Sequence, residues 1–175
     1  MRGASITGSA ILRGVMIPFG ILFLAFAVLF LAGMRGSLGP LDLATAQWII
    51  LGLWIAAPVV GGLVSRGLTD RETTLSAAVL AVVVGLAVAA VFFTGAGTAS
   101  SCEIGATRSA AAYVVGCLGV GAIVGIGVGA SALITARLAR RGRWLLAVLL
   151  GGGLNFVASA GAYFLYYSMV TCLRP

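Results

Sequence analysis

Five apolar segments, each about as long as a membrane-spanning helix, occupy most of this 175-residue chain. A helix that crosses the hydrocarbon core of a bilayer needs about 20 predominantly apolar residues. The segments that meet this requirement are 14–33, 47–64, 74–94, 111–135 and 144–168. A helix also satisfies its backbone hydrogen bonds internally, as the bilayer demands. The sequence therefore predicts an all-α, polytopic membrane helix bundle with five transmembrane helices, forming a single domain over residues 1–175.

The composition supports this fold class. Charged residues make up 9% of the chain and hydrophobic residues 61%, and the mean hydropathy is +1.17. A soluble domain carries about 25% charged residues, so this chain has too few polar side chains to cover a surface in water. The connections between the apolar segments are short, which favours antiparallel packing of consecutive helices.

The placement of the arginines predicts the orientation of the bundle. Loops rich in arginine stay preferentially on the cytoplasmic side of a membrane. If the N-terminus is cytoplasmic, eight arginines fall on the inner side: Arg2, Arg13, Arg66, Arg71, Arg137, Arg140, Arg141 and Arg143. The outer side then holds three: Arg35, Arg108 and Arg174. We therefore expect a multi-pass protein of the cell (plasma) membrane with a cytoplasmic N-terminus and an extracytoplasmic C-terminus.

Local signals agree with the segment boundaries. The run from Thr69 to Glu72 is typical of a capping box, in which the two side chains satisfy each other's backbone at the start of a helix. It is expected to open the third helix. Gly142 is placed to end the fourth helix, because glycine is favoured just past a helix C-terminus. Trp144 is expected to begin the fifth helix at the inner membrane interface.

The residues that are missing exclude several classes of chemistry. The chain has no histidine and no lysine. It therefore lacks a Ser-His-Asp triad, an imidazole ligand for haem or metal, and a lysine that could form a Schiff base. Its four acidic residues lie in predicted loops or at helix ends: Asp42, Asp70, Glu72 and Glu103. We expect a protein that is not an enzyme and that binds no cofactor and no metal.

Four arginines crowd the connection after the fourth apolar segment: Arg137, Arg140, Arg141 and Arg143. A net charge of +7 raises the question of nucleic-acid binding, but these four arginines occupy one short inner loop rather than a folded basic face. Arginines at this position attract anionic lipid headgroups. The sequence therefore predicts contact with the lipid bilayer or with a partner subunit, and no nucleic-acid partner.

Three cysteines are distributed unevenly across the predicted topology. Cys102 and Cys172 both fall on the extracytoplasmic side, where disulfides persist, and a bridge between them would tie the longest outer loop to the C-terminus. The alternatives are two free thiols or a bridge to another chain. Cys117 lies within the fourth segment and is expected to be a small buried residue. A three-cysteine metal or iron–sulfur site is disfavoured, because the spacings match no ligand motif and no fourth ligand is present.

The fourth segment carries glycines at a spacing of four: Gly121, Gly125 and Gly129. Small residues in such a stripe allow another membrane helix to approach until the backbones touch. The stripe therefore predicts a helix-packing face. The helix that it contacts belongs either to this bundle or to a second membrane protein.

Asn155 is the most polar residue predicted near the middle of the membrane, and it follows Gly151-Gly152-Gly153. The three glycines are expected to weaken the fifth helix, and Pro58 with Gly61-Gly62 is expected to interrupt the second. Paired interruptions of this kind can mark the substrate site of a transporter. Such a path would be lined by four side chains: Asn155, Ser159, Ser131 and Thr135. The alternative is that Asn155 binds a neighbouring helix and the glycines permit the close approach.

These observations support two main functional hypotheses. The favoured one is a non-catalytic structural or accessory subunit that packs through small-residue helix faces, with another membrane protein or a second copy as partner. The alternative is a small homo-oligomeric transporter or channel for a neutral solute, centred on Asn155. A third hypothesis, a redox protein using Cys102 and Cys172, has only the cysteines in its favour.

Overall fold

The computed structural model describes residue 12 and residues 14–25, 43–96 and 110–169, with side chains given for 48–93 and 114–165 in the last two ranges. Within these residues the chain is helical and contains no strand. The helices are α1 (Gly14–Ala25), α2 (Leu43–Val64), α3 (Asp70–Ala96), α4 (Ala110–Arg140) and α5 (Trp144–Met169). Helices α2 to α5 are each long and apolar enough to cross a membrane. The predicted all-α, multi-pass membrane fold is confirmed, and residues 26–33 of the first predicted span lie outside the described residues.

Helix α3 begins one turn before its apolar segment, because a capping box makes the polar first turn helical. The Thr69 backbone N–H donates to Glu72 Oε2 at 3.0 Å, and the Glu72 N–H donates to Thr69 Oγ1 at 3.3 Å. These two bonds satisfy backbone groups that a helix start would otherwise leave open. The capping box is confirmed, and the helix starts at Asp70 rather than at residue 74.

Helix α4 continues to Arg140, five residues past its predicted end. The expectation that Arg137 and Arg140 lie in a loop is therefore wrong: both lie in the last helical turn, where positive charge is favourable. Gly142 then ends the helix as predicted, with a φ of 73°. The Gly142 N–H donates to the Ala139 carbonyl and the Arg143 N–H to the Leu138 carbonyl, which is a Schellman motif.

Helix α4 is the central helix and packs against α2, α3 and α5. Its residues Val120, Val124 and Val128 are buried among apolar side chains of the neighbouring helices. Helix α1 lies against α2, where a Cβ on Gly61 would come within 2.8 Å of the Pro18 ring. The outward faces carry large exposed apolar side chains, such as those of Leu86, Leu145, Val157 and Phe164, which suit contact with lipid.

Candidate functional site

The glycine stripe of α4 packs against α3 of the same chain. A Cβ on Gly125 would clash with the Ala81 carbonyl oxygen and would lie 2.9 Å from Gly85 Cα. Gly121 meets the Gly85 carbonyl in the same way, and a Cβ on Gly129 would lie 2.6 Å from the Ala77 oxygen. Backbone therefore contacts backbone along this seam, as expected of a small-residue face. Of the two partners left open by the sequence, the structure places the helix of this bundle there.

Asn155 lies at the contact between α5 and α2 and is fully buried. Its Nδ2 donates to the Trp54 backbone carbonyl at 2.8 Å. In an uninterrupted α-helix this carbonyl would accept from the N–H four residues later, but that residue is Pro58, which has none. The Asn155 amide therefore supplies the hydrogen bond that Pro58 removes. Neighbouring helices commonly satisfy proline-freed carbonyls in this way within membranes.

The predicted interruption of the second helix is consequently wrong. Helix α2 runs continuously from Leu43 to Val64 with Pro58 inside it. Helix α5 likewise runs unbroken through the three glycines at 151–153. Substrate sites of transporters are typically built from discontinuous helices. The two features that the sequence suggested as paired interruptions instead lie within continuous helices, and the Asn155 amide bonds the Trp54 carbonyl that Pro58 leaves free.

Ser159 extends the same contact by one helical turn. Its Oγ accepts a hydrogen bond from the indole Nε1 of Trp54 at 2.7 Å. Asn155 and Ser159, spaced i and i+4 on one face of α5, therefore hold the backbone and the side chain of a single residue on α2. Trp54 was not singled out by the sequence analysis. Its position four residues before a proline is the signal that could have identified it.

Two further polar side chains connect α4 to α5. Ser131 Oγ donates to the Gly151 carbonyl, and Thr135 Oγ1 donates to the Ala147 carbonyl at 3.3 Å. Both donors are fully buried. A Cβ on Gly151 would clash with Thr135 Oγ1, so glycine at this position is what allows the two helices to approach. All four side chains proposed for a solute path thus take part in hydrogen bonds between helices.

One polar atom in this group stays unsatisfied. Among the described residues, Asn155 Oδ1 is a buried side-chain oxygen with no hydrogen-bond partner. A buried amide oxygen without a donor lowers stability, so such atoms are uncommon in folded proteins. This atom is the one feature of the polar group that packing does not explain.

An apolar cavity of about 530 Å³ lies beside this polar group and touches all five helices. Aromatic side chains form much of its wall: Phe19, Phe23, Trp54, Phe92 and Tyr163. Ser159 is also part of the lining, and its hydroxyl already accepts from the Trp54 indole. The cavity is therefore suited to an apolar occupant.

Every arginine within the described residues lies at one end of the bundle, where α2 and α4 finish and α3 and α5 begin. Arg140 is used inside the protein: its Nη2 lies 2.9 Å from Asp70 Oδ1, and its Nη1 donates to the Leu68 carbonyl at 3.0 Å. Arg66 stacks over the Trp144 ring, with Cζ 5.2 Å from the ring centroid. Of the four arginines predicted to contact lipid or a partner, Arg140 thus also braces α4 against the start of α3.

Of the three cysteines, one lies within the described residues and two lie outside them. Cys117 is buried in α4 with 2% of its surface exposed, which confirms its expected role as a small interior residue. Cys102 and Cys172 lie outside the described residues, so their pairing stays a prediction.

Compared with known proteins, the chain matches no family model, no curated protein and no solved structure. Function must therefore be inferred from the geometry of this chain.

Proposed function

We propose that this chain is a non-catalytic integral membrane protein that serves as a structural or accessory subunit. The observation that carries the proposal is the use of the interior polar side chains. Asn155, Ser159, Ser131 and Thr135 each hydrogen-bond to a neighbouring helix. Side chains that are committed to packing are poorly placed to bind and release a solute. The apolar outer faces of the helices are suited to lipid and to a membrane partner.

The composition supports the non-catalytic part of the proposal. The chain has neither histidine nor lysine, the usual general bases and amine nucleophiles. The acidic residues of the described part, Asp70 and Glu72, lie at the arginine-rich end and take part in an ion pair and a helix cap. Neither is placed at the buried polar group around Asn155.

The alternative is a homo-oligomeric transporter or channel for a neutral solute centred on Asn155. The observation in its favour is the buried Asn155 Oδ1 atom, which lacks a hydrogen-bond donor. A solute hydroxyl or a water molecule could supply that donor. The apolar cavity beside it argues against a hydrophilic path, because a polar solute would lose its hydrogen bonds to water without replacement.

Extraction from the native membrane in a gentle detergent distinguishes the two functions. We expect the chain to co-migrate with a different membrane protein at fixed stoichiometry, measured by mass spectrometry of the intact complex. A matched measurement reconstitutes the purified chain in liposomes and follows uptake of small neutral solutes. A homo-oligomer that conducts a solute, and loses that flux in an Asn155→Leu variant that still folds, would replace the accessory-subunit proposal with the transporter.

We further propose a cytoplasmic N-terminus, an extracytoplasmic C-terminus and residence in the plasma membrane. The six described arginines gather at one end of the bundle, and such an end faces the cytoplasm in most membrane proteins. Cys102 and Cys172 would then lie on the oxidising side, where they are proposed to form a disulfide.

A membrane-impermeant maleimide tests the disulfide. We expect intact cells to show labelling of Cys102 and Cys172 only after a reductant is added. Cys117 provides an internal control, since its burial should protect it until the protein is unfolded. A Cys102→Ser variant should leave Cys172 free and labelled without reductant. Labelling of both outer cysteines in the unreduced wild-type protein would contradict the bridge.

A further inference from the structure

The apolar cavity extends from the surface of the bundle to its core. Phe23 and Tyr163 line it and are 63% and 61% exposed, whereas Val84 and Val124 line it and are buried. The first pair therefore marks the rim and the second pair the floor. The volume of about 530 Å³ falls within the range of known binding sites for organic ligands.

The floor of the cavity lies at the level of the hydrocarbon core. Trp54 lies near the middle of α2 and Val124 near the middle of α4, both far from the arginine-rich end. A spanning helix has its central residues at the depth of the acyl chains. The hydrocarbon tails of membrane lipids are therefore the molecules found at the depth of this cavity.

The lining favours such a tail over a polar ligand. The Trp54 indole N–H and the Ser159 hydroxyl are already bonded to each other at 2.7 Å. A polar ligand would lose hydrogen bonds on entry, whereas a hydrocarbon chain only exchanges one apolar environment for another. The aromatic and aliphatic walls then provide dispersion contacts that an empty cavity would lack.

We propose that this cavity is a binding site for one acyl chain of a membrane phospholipid, which enters from the bilayer between Phe23 and Tyr163. The bound chain completes the packing of the five helices at mid-membrane. This site is separate from the partner-binding role proposed above, and it can be tested on the purified chain alone.

Photolabelling in a nanodisc tests the site. The probe is a phosphatidylcholine with a diazirine in the middle of one acyl chain, mixed into unlabelled phosphatidylcholine. Val124 reports on the cavity, because it is buried and lines the cavity floor, while Ile126 on the same helix is 67% exposed and reports on ordinary lipid contact. We expect mass spectrometry to locate label at both residues. Label at Ile126 without label at Val124 would overturn the proposal, including the case in which polypeptide fills the cavity.

Replacing either of two alanines on α3 with tryptophan provides a matched pair of variants. Ala87 lines the cavity, whereas Ala78 is exposed and lies outside it. We expect Ala87→Trp to lower the labelling of Val124 several-fold and to leave Ile126 unchanged, while Ala78→Trp leaves both unchanged. Undiminished labelling of Val124 in Ala87→Trp, or equal loss in both variants, would overturn the assignment. If Ala87→Trp does not fold, the comparison of Val124 with Ile126 in the wild-type protein still decides.

Discussion

Replacing Gly125 with leucine is expected to lower the free energy of unfolding of the bundle strongly. Even a single added carbon at this position would clash with the Ala81 carbonyl oxygen and crowd the Gly85 backbone. Backbone cannot move aside as a flexible side chain can, so α3 and α4 would have to separate. Overpacking of a core typically costs about 1–3 kcal/mol and occasionally more. We expect a loss at or above the upper end of this range, which is a large share of a typical total stability of about 5–15 kcal/mol.

The measurement is the free energy of unfolding in mixed micelles as a denaturing detergent is added. Gly153→Leu on α5 is the matched control, because Gly153 is exposed and a Cβ there meets no atom within 4 Å. It should unfold like the wild-type protein, or later, since glycine is a poor helix former. Unchanged stability of Gly125→Leu together with an altered oligomeric state would contradict an intramolecular seam and would place the glycines between chains.

The sequence predicted the elements of this fold better than their ends. Hydropathy located the four helices α2 to α5, because about 20 apolar residues leave a membrane segment few alternatives. The hydropathy pattern ended α4 too early, because the last turn contains arginines and hydropathy does not distinguish a polar helical turn from a loop. Where the chemistry is local, as in the cap of Thr69 with Glu72 and the turn at Gly142, prediction and structure agree.

The contacts between helices could not be predicted from the amino-acid sequence alone. The glycine stripe indicated a packing face, but any membrane helix with small residues would have suited it. Its partner is α3 because Ala77, Ala81 and Gly85 repeat the same spacing there. The sequence contains both Asn155 and Pro58, but it does not indicate that the Asn155 amide bonds the carbonyl that Pro58 leaves free. That bond depends on the rotation of α5 relative to α2, which packing of the whole bundle determines.

Replacing Asn155 with leucine is expected to destabilise the wild-type protein more than the same substitution destabilises a variant that lacks Pro58. In the wild type, Asn155→Leu leaves the Trp54 carbonyl without a donor, because Pro58 has no N–H to offer. An orphaned buried acceptor costs about 1–3 kcal/mol, although hydrogen bonds between membrane helices average only about 0.6 kcal/mol. We expect a loss of about 1–2 kcal/mol. In Pro58→Ala the restored backbone N–H can bond this carbonyl, so the same substitution should cost less.

A double-mutant cycle on the free energy of unfolding measures this coupling, since it isolates the term that depends on both residues. Ser159→Ala is the control: it removes the bond to the Trp54 indole, which does not involve the backbone carbonyl, and its effect should be the same with or without Pro58. If Asn155→Leu costs the same in both backgrounds, the Asn155 amide is not replacing the proline's missing hydrogen bond. The unpaired Oδ1 would then be the more important atom of Asn155, and the transporter would become better supported than the accessory subunit.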